Sequence, residues 1–495
     1  MTGAAQGRAP VAPGFPGVAW HVGASVAGQG LHLILRLVLA RLLAPQDFGL
    51  VAMALAVVSF TWWAQDLSLG QALIQRRTLS ETEKSTAFWA AILVGCLVFA
   101  ALAGITPLAA GFFKAEGLAS ILPAIGFSVV LAAPEATLSA LLKREFRFKA
   151  VAVRQVGSVI LGGGTGIALA FLGCGAWALV GDALVRALAA STLLLLQSPW
   201  RPALVFSGSA LAELWGFSRA LVGARLLNTL NRNIDTVLVG RLLGAGALGI
   251  YNLGYQFVLL PLAWISRAVN EVLFAALSRR QDDGAEFAAT FAHALHLLTL
   301  VTFPLMTLIA LAAPTLVPMV LGSRWEAAVP LLPFLCLAGA VQSLHSLIPG
   351  VLQARARANL VFLWVLASTV ATTIAVVSGV AWGIQGVAVA YAAASVALSV
   401  VVMPLLFRRL GLRVADLAAL VGRTGAFCCA LFLAWRGVER LTGDAARAQP
   451  LAVLCLAGGA GAVVYLALCL WLDPLLKRVR SRPLAEALRL VRGEL

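Results

Sequence analysis

The stretch LARLLAPQDFGLV, Leu39 to Val51, has a counterpart further along the chain in VGRLLGAGALGIY, Val239 to Tyr251. Arg41 aligns with Arg241, Leu42 and Leu43 with Leu242 and Leu243, and Gly49 with Gly249, at one constant offset. Each stretch closes one apolar run and opens the next. Both following runs end on paired arginines, Arg76-Arg77 and Arg279-Arg280. The offset spans an even number of apolar runs, so the two copies cross a membrane in the same sense and are parallel repeats about an axis along its normal. GAWALV from Gly175 and GIQGVA from Gly383 extend the correspondence more weakly.

Composition agrees with a membrane. Of 495 residues, 61% are hydrophobic and 12% charged, against about 25% charged in soluble chains, and the mean hydropathy is +0.93. A helix needs about 20 apolar residues to cross, and on that measure about fourteen segments centre near residues 30, 58, 98, 130, 161, 187, 229, 260, 302, 339, 368, 395, 427 and 461. The expected fold is an all-α polytopic membrane protein with two parallel six-helix lobes, residues 1–200 and 201–411, around a central cavity. Residues 412–495 add two C-terminal transmembrane helices and a basic cytoplasmic tail.

Basic residues sit in short clusters between the apolar runs, so the net charge of +16 points to anionic membrane lipids and not to nucleic acid. With the N-terminus inside, most Lys and Arg between spans are cytoplasmic, and only Arg41, Lys114, Arg241, Arg324, Arg436, Arg440 and Arg447 lie outside. Both termini are then cytoplasmic, and MTGAAQGRAPVAPGFPG reads as a short tail with nothing removed. KREFRFKAVAVRQ, Lys143 to Gln155, alternates basic and aromatic residues and fits a short inner-leaflet surface helix or a plain cytoplasmic turn. Seven cysteines lie inside apolar segments without metal-ligand spacing. His293 and His296 have no nearby acid and read as a packed or interfacial pair, so no metal is expected.

ARLLNTLNRNIDTVLVGRLLG, Ala224 to Gly244, breaks an apolar run with polar groups, each charge costing roughly 2.5 to 3.5 kcal/mol at mid-bilayer. At 100° per residue Arg225, Asn228, Arg232 and Asp235 share one face. The first span has the same kind of stripe in His21, Ser25, Gln29, His32 and Arg36. Matching stripes in parallel repeats are read as lining a hydrated cavity, although for any single residue, Arg232 with Asp235 above all, pairing with neighbours is an equal reading. Asp182 with Arg186 and Arg267 with Glu271 are spaced to neutralise one another within a helix. Asp66 and Glu135 lack such a partner and are read as lying near the cytoplasmic interface, with ion coupling open for Asp66, His32 and Asp235. The glycines of GGGTG, Gly162 to Gly166, are a helix-packing spacing and not a phosphate loop. No ATP signature, cofactor motif or catalytic constellation stands out.

Three stretches carry a resemblance: DLSLGQALIQRRTLSETEKSTAFW from Asp66, LLGAGALGIYNLGYQFVLLPLAWISRAVNEVLFAALSRRQDD from Leu242, and LGSRWEAAVPLLPFLCLAGAVQSL from Leu321. They resemble the Wzx and WzxC-like polysaccharide/oligosaccharide flippases of the multidrug/oligosaccharidyl-lipid/polysaccharide exporter superfamily, over most of the chain up to about Arg409. The resemblance implies a non-enzymatic flippase of the bacterial inner membrane, moving an undecaprenyl-pyrophosphate-linked oligosaccharide outward by alternating access, with a polysaccharide polymerase and chain-length regulator as possible partners. Arginine suits pyrophosphate through its planar fork and permanent charge, so Arg36, Arg225 and Arg232 are the expected anion ligands, with Gln29, His32 and Asn228 toward sugar or water. A lipid II flippase or a cation-coupled drug exporter of the same superfamily are the alternatives; a polymerase would want a large outer loop, and a non-transporting scaffold is the remaining class.

Overall fold

The computed structural model describes residues 15–61, 73–74, 76, 79–280, 283–355, 357–442 and 449–472, and at 15–22, 24, 210, 212–228, 260 and 358 the description is of backbone alone. All regular structure among these residues is helical: α1 Phe15–Leu42, α2 Pro45–Ser59, α3 Glu81–Phe113, α4 Leu118–Arg144, α5 Phe148–Phe171, α6 Ala176–Gln197 and α7 Gly208–Arg279. There follow α8 Gly284–Leu321, a 3-10 turn Ser323–Leu331, α9 Leu332–Ser346, the short α10 Ile348–Ala354, α11 Ala358–Gly379, α12 Gly383–Arg409, α13 Val414–Thr442 and α14 Pro450–Leu472. Each span centre expected from the sequence falls on one of these helices.

Eleven helical runs among the described residues are long and apolar enough to cross a membrane, and α2, at 15 residues, falls short of that length. Two runs, Thr229–Arg279 and Asn359–Arg409, are 51 residues each, about 77 Å at the α-helical rise. Either is more than twice the hydrocarbon thickness of about 30 Å. The chain is a multi-pass membrane protein.

The repeat is visible where helices break. α1 stops and α2 starts around Ala44, held extended (φ −85, ψ 154) because Pro45 excludes the residue before it from the helical region. Asp47 then accepts the Ala44 N–H at 3.0 Å. In the second copy there is no proline, and the same position is Gly244, whose φ of 83 and ψ of 178 kink α7. That conformation is open essentially to glycine alone. Two different devices break the helix at equivalent residues.

By internal contacts the chain forms two compact units, residues 1–249 and 250–495. In the first, a Cβ on Gly49 would lie 1.7 Å from the Ala245 carbonyl oxygen, and one on Gly249 would lie 1.9 Å from the Pro45 carbonyl oxygen. Ala245 is the repeat counterpart of Pro45. The crossing is therefore reciprocal, each glycine seated on the other copy's helix start. Elsewhere in this unit the GGGTG glycines do what their spacing implies. Cβ atoms on Gly162 and Gly166 would meet Asp182 and Ala178 of α6, and one on Gly163 would meet Leu35 of α1. Close packing of α5 against both neighbours requires their absence.

The second unit packs Phe287, Phe291, Leu295 and Leu298 of α8 with Leu344 and Leu347, Met403 and Phe407 of α12, and Leu417 of α13. The two last helices dock on α8 as well: Tyr465 of α14 donates to the Leu300 carbonyl at 2.9 Å, within a cluster that includes Phe427 and Leu431 of α13.

Candidate functional site

Two of the expected ligands on α1 meet α6. Arg186 donates to His32 Nδ1 at 2.8 Å and is ion-paired with Asp182 one turn before it. A guanidinium has no acceptor, so the imidazole acts as the acceptor of this contact. Arg36, half-buried on the same face of α1, lies close enough to Asp182 and Arg186 for both charges to act on it. Among these four side chains there are two guanidiniums and one carboxylate. The glycines of α5 bring Asp182 into this bundle, since any larger residue at Gly162 would collide with it.

Gln29, one turn before His32, donates to Ser25 Oγ at 3.3 Å within α1. Glu135, without a partner in its own sequence neighbourhood, finds one in Arg154 of α5. Asp182 with Arg186 is paired as its spacing implies.

Charges on α7 behave otherwise. Arg232 is exposed, whereas Asp235 is buried and accepts from the Thr236 backbone N–H at 2.7 Å. No ion pair joins Arg232 to Asp235 among the described residues. Arg267 and Glu271 also differ from their sequence reading: both are exposed and no ion pair forms between them. About 18 Å of helix separates Arg232 from the Gly244 kink, and about 18 Å separates Arg267 from Arg279. Arg267 lies well inside the Thr229–Arg279 run, and Arg232 lies three residues from its described start. Arg225 and Asn228 lie on α7 with side chains outside the described residues, as does the side chain of His21; Asp66 lies outside them altogether.

Two features of the second unit carried no sequence signal. Three of the chain's four tyrosines meet there: Tyr255 and Tyr391 share a 2.9 Å hydroxyl hydrogen bond, Tyr251 stacks on Tyr255 at 5.8 Å, and the Gln342 amide donates to Tyr391. Tyr251 and Tyr255 are one turn apart on α7, but 136 residues separate Tyr255 from Tyr391. The second is a cavity of about 880 Å³ bounded by α8, α9, α12 and α13. Its lining runs along α13 from Val414 to Glu439, about 38 Å of helix. Walls are apolar, and Leu337, Val400 and Phe432 are exposed along it. At one end Arg436 pairs with Glu439 at 2.9 Å.

The chain matches the model of the family described as polysaccharide biosynthesis protein over residues 38–330. It is 27% identical to the lipopolysaccharide biosynthesis protein WzxC of Escherichia coli K12, over 70% of this chain and 71% of that protein. To the succinoglycan biosynthesis transport protein ExoT of Rhizobium meliloti 1021 it is 30% identical, covering 73% of each. Its fold is similar to that of the lipid II flippase MurJ in an inward closed conformation, with a TM-score of 0.69, 14% identity, and coverage of 91% of this chain and 98% of MurJ. The family model covers more than half of the sequence and the relatives extend beyond it: this chain belongs to the polysaccharide biosynthesis protein family.

Proposed function

We propose that the protein is a flippase that moves a polyprenyl-pyrophosphate-linked oligosaccharide, a surface-polysaccharide repeat unit, across the bacterial cytoplasmic membrane by alternating access. The observation that carries this reading is the exposure of Arg267 well inside the apolar run Thr229–Arg279, with Arg232 exposed on the same run. A charged side chain at that depth is tolerated where it faces water or an ionic ligand. A pyrophosphate-sugar head cannot enter hydrocarbon unaided, and arginine offers it a fixed bidentate fork. The His32, Arg36, Asp182 and Arg186 cluster supports the same reading, because it carries one more cation than anion. Arg225 and Asn228 remain in the proposed site on the strength of the shared face with Arg232.

In this account the duplicated sequence forms two six-helix lobes, 1–200 and 201–411, with two further spans in 412–495, fourteen in all, and both termini cytoplasmic. The apolar cavity along α13 suits a hydrocarbon chain, so a polyprenyl tail can stay in lipid-like surroundings while the head crosses. Names of the sequence relatives, WzxC and ExoT, speak for surface-polysaccharide cargo, and the cationic excess speaks against a cationic drug. Lipid II remains the second reading, favoured by the fold likeness to MurJ.

Vesicles containing the purified chain should move a fluorescent undecaprenyl-pyrophosphate-linked oligosaccharide between leaflets far faster than empty vesicles. Transport of cationic dyes with no movement of the lipid-linked sugar would overturn the proposal, and selective movement of lipid II would choose the second reading.

A further inference from the structure

α4 and α5 are joined by a turn with an unusual residue at its centre. α4 ends in a six-to-one and five-to-two hydrogen-bond pair, Arg147 N–H to the Leu142 carbonyl at 2.9 Å and Phe146 N–H to the Lys143 carbonyl at 3.1 Å. This ending requires a left-handed residue between the two bonds, normally glycine. α5 and α12 use Gly173 and Gly411 in the same role, with φ of 76 and 75. α4 uses Phe146 at φ 55, a conformation disfavoured for a bulky side chain. The ring is 49% exposed, and its one aromatic neighbour among the described residues is the Phe148 ring, edge-on at 6.2 Å.

The charges around it are not engaged in the protein. Lys143, Arg147 and Lys149 are exposed and have no ion pair among the described residues, and exposed Glu145 is the one acid of the turn. The other cations nearby are occupied: Arg144 donates to the Leu73 carbonyl at 2.9 Å, and Arg154 pairs with Glu135. Both flanking helices are long and apolar enough to cross the membrane, so the turn lies at the bilayer surface. An exposed ring between three cations at that level matches an anionic phospholipid, phosphate against the cations and ring among the upper acyl carbons.

We propose that the Lys143–Lys149 turn is a docking point for an anionic phospholipid headgroup, with Phe146 held in its strained conformation as the wedge that enters the bilayer. In the orientation proposed above this is the inner leaflet, but the site does not depend on that orientation when test vesicles carry the lipid in both leaflets.

The experiment compares thermal unfolding of the full chain in phosphatidylcholine vesicles with and without phosphatidylglycerol. Wild type gains Tm with the anionic lipid. The combined Lys143→Gln, Arg147→Gln, Lys149→Gln variant should lose about half of that gain or more, while Arg408→Gln, Arg409→Gln, Arg413→Gln, which removes equal charge elsewhere, should keep it. Phe146→Gly should raise Tm in phosphatidylcholine alone, by relieving the backbone, and yet reduce the gain from phosphatidylglycerol. Inorganic phosphate added to neutral vesicles should reproduce none of it. Equal losses in the two triple variants, an unchanged gain in Phe146→Gly, or a full gain from free phosphate would each overturn the proposal.

Discussion

Charged groups inside apolar helices meet two fates in this molecule. On α1 and α6 they close on each other: Asp182 holds Arg186, and Arg186 holds His32. On α7, Arg232, Arg267 and Glu271 stand exposed, and no ion pair joins Arg232 to Asp235 or Arg267 to Glu271. The residue types and spacings are alike, Asp182 with Arg186 and Arg267 with Glu271 both being one turn apart. What separates them is packing. Glycines at 162 and 166 let α5 press Asp182 into a bundle where its charge must be answered, while Arg267 stays exposed. A charge in a membrane helix is thus an architectural or a functional element according to what its neighbours permit, and spacing alone does not tell which.

That contrast is open to attack from either side. Asp182→Asn leaves Arg186 in the bundle without its counter-ion, and removing one partner of a buried pair costs about 3–5 kcal/mol. Accumulation and Tm should fall sharply, and restoring neutrality with Arg186→Gln in the same chain should recover part of the loss. Arg232→Ala and Arg267→Ala should do the opposite, leaving stability within about 0.5 kcal/mol of wild type. Flipping should fall roughly 10- to 150-fold, the worth of about 1.5–3 kcal/mol for a hydrogen bond to a charged ligand.

Gly49→Ala and Gly249→Ala each drive a methyl into a backbone carbonyl, and each should destabilise by about 1–3 kcal/mol through overpacking. Once one methyl has parted the crossing, the second finds it open, so the double variant should lose clearly less than the sum. Additive losses would show that the two glycines serve separate contacts. The smallest change is Glu271→Gln: an exposed carboxylate with no ion pair among the described residues should alter stability by under about 0.5 kcal/mol.

Much of the fold is legible from residues that break helices or pack them. Pro45 and Gly244 end helices by chemistry visible in the sequence, and their equivalent positions tie the repeat to backbone geometry. GGGTG likewise announces a close approach. The site is less legible because its partners are remote: His32 and Arg186 are 154 residues apart, and Tyr255 and Tyr391 are 136 apart. No periodic pattern links them. Arg267 and Glu271 mislead for the opposite reason, since their spacing permits a pair that the side chains do not form. Phe146 is read in sequence as one aromatic among basic residues; only the backbone reveals that it occupies a glycine's place.

Whether exposed arginine within the apolar span serves an anionic head is decided at Arg232. Flipping of a pyrophosphate-linked oligosaccharide by Arg232→Ala and Arg232→Lys should be measured in vesicles at matched protein content and Tm. Arg232→Ala should lose roughly tenfold or more, with partial recovery in Arg232→Lys, which keeps the charge but not the fork. Wild-type flipping by Arg232→Ala would contradict it.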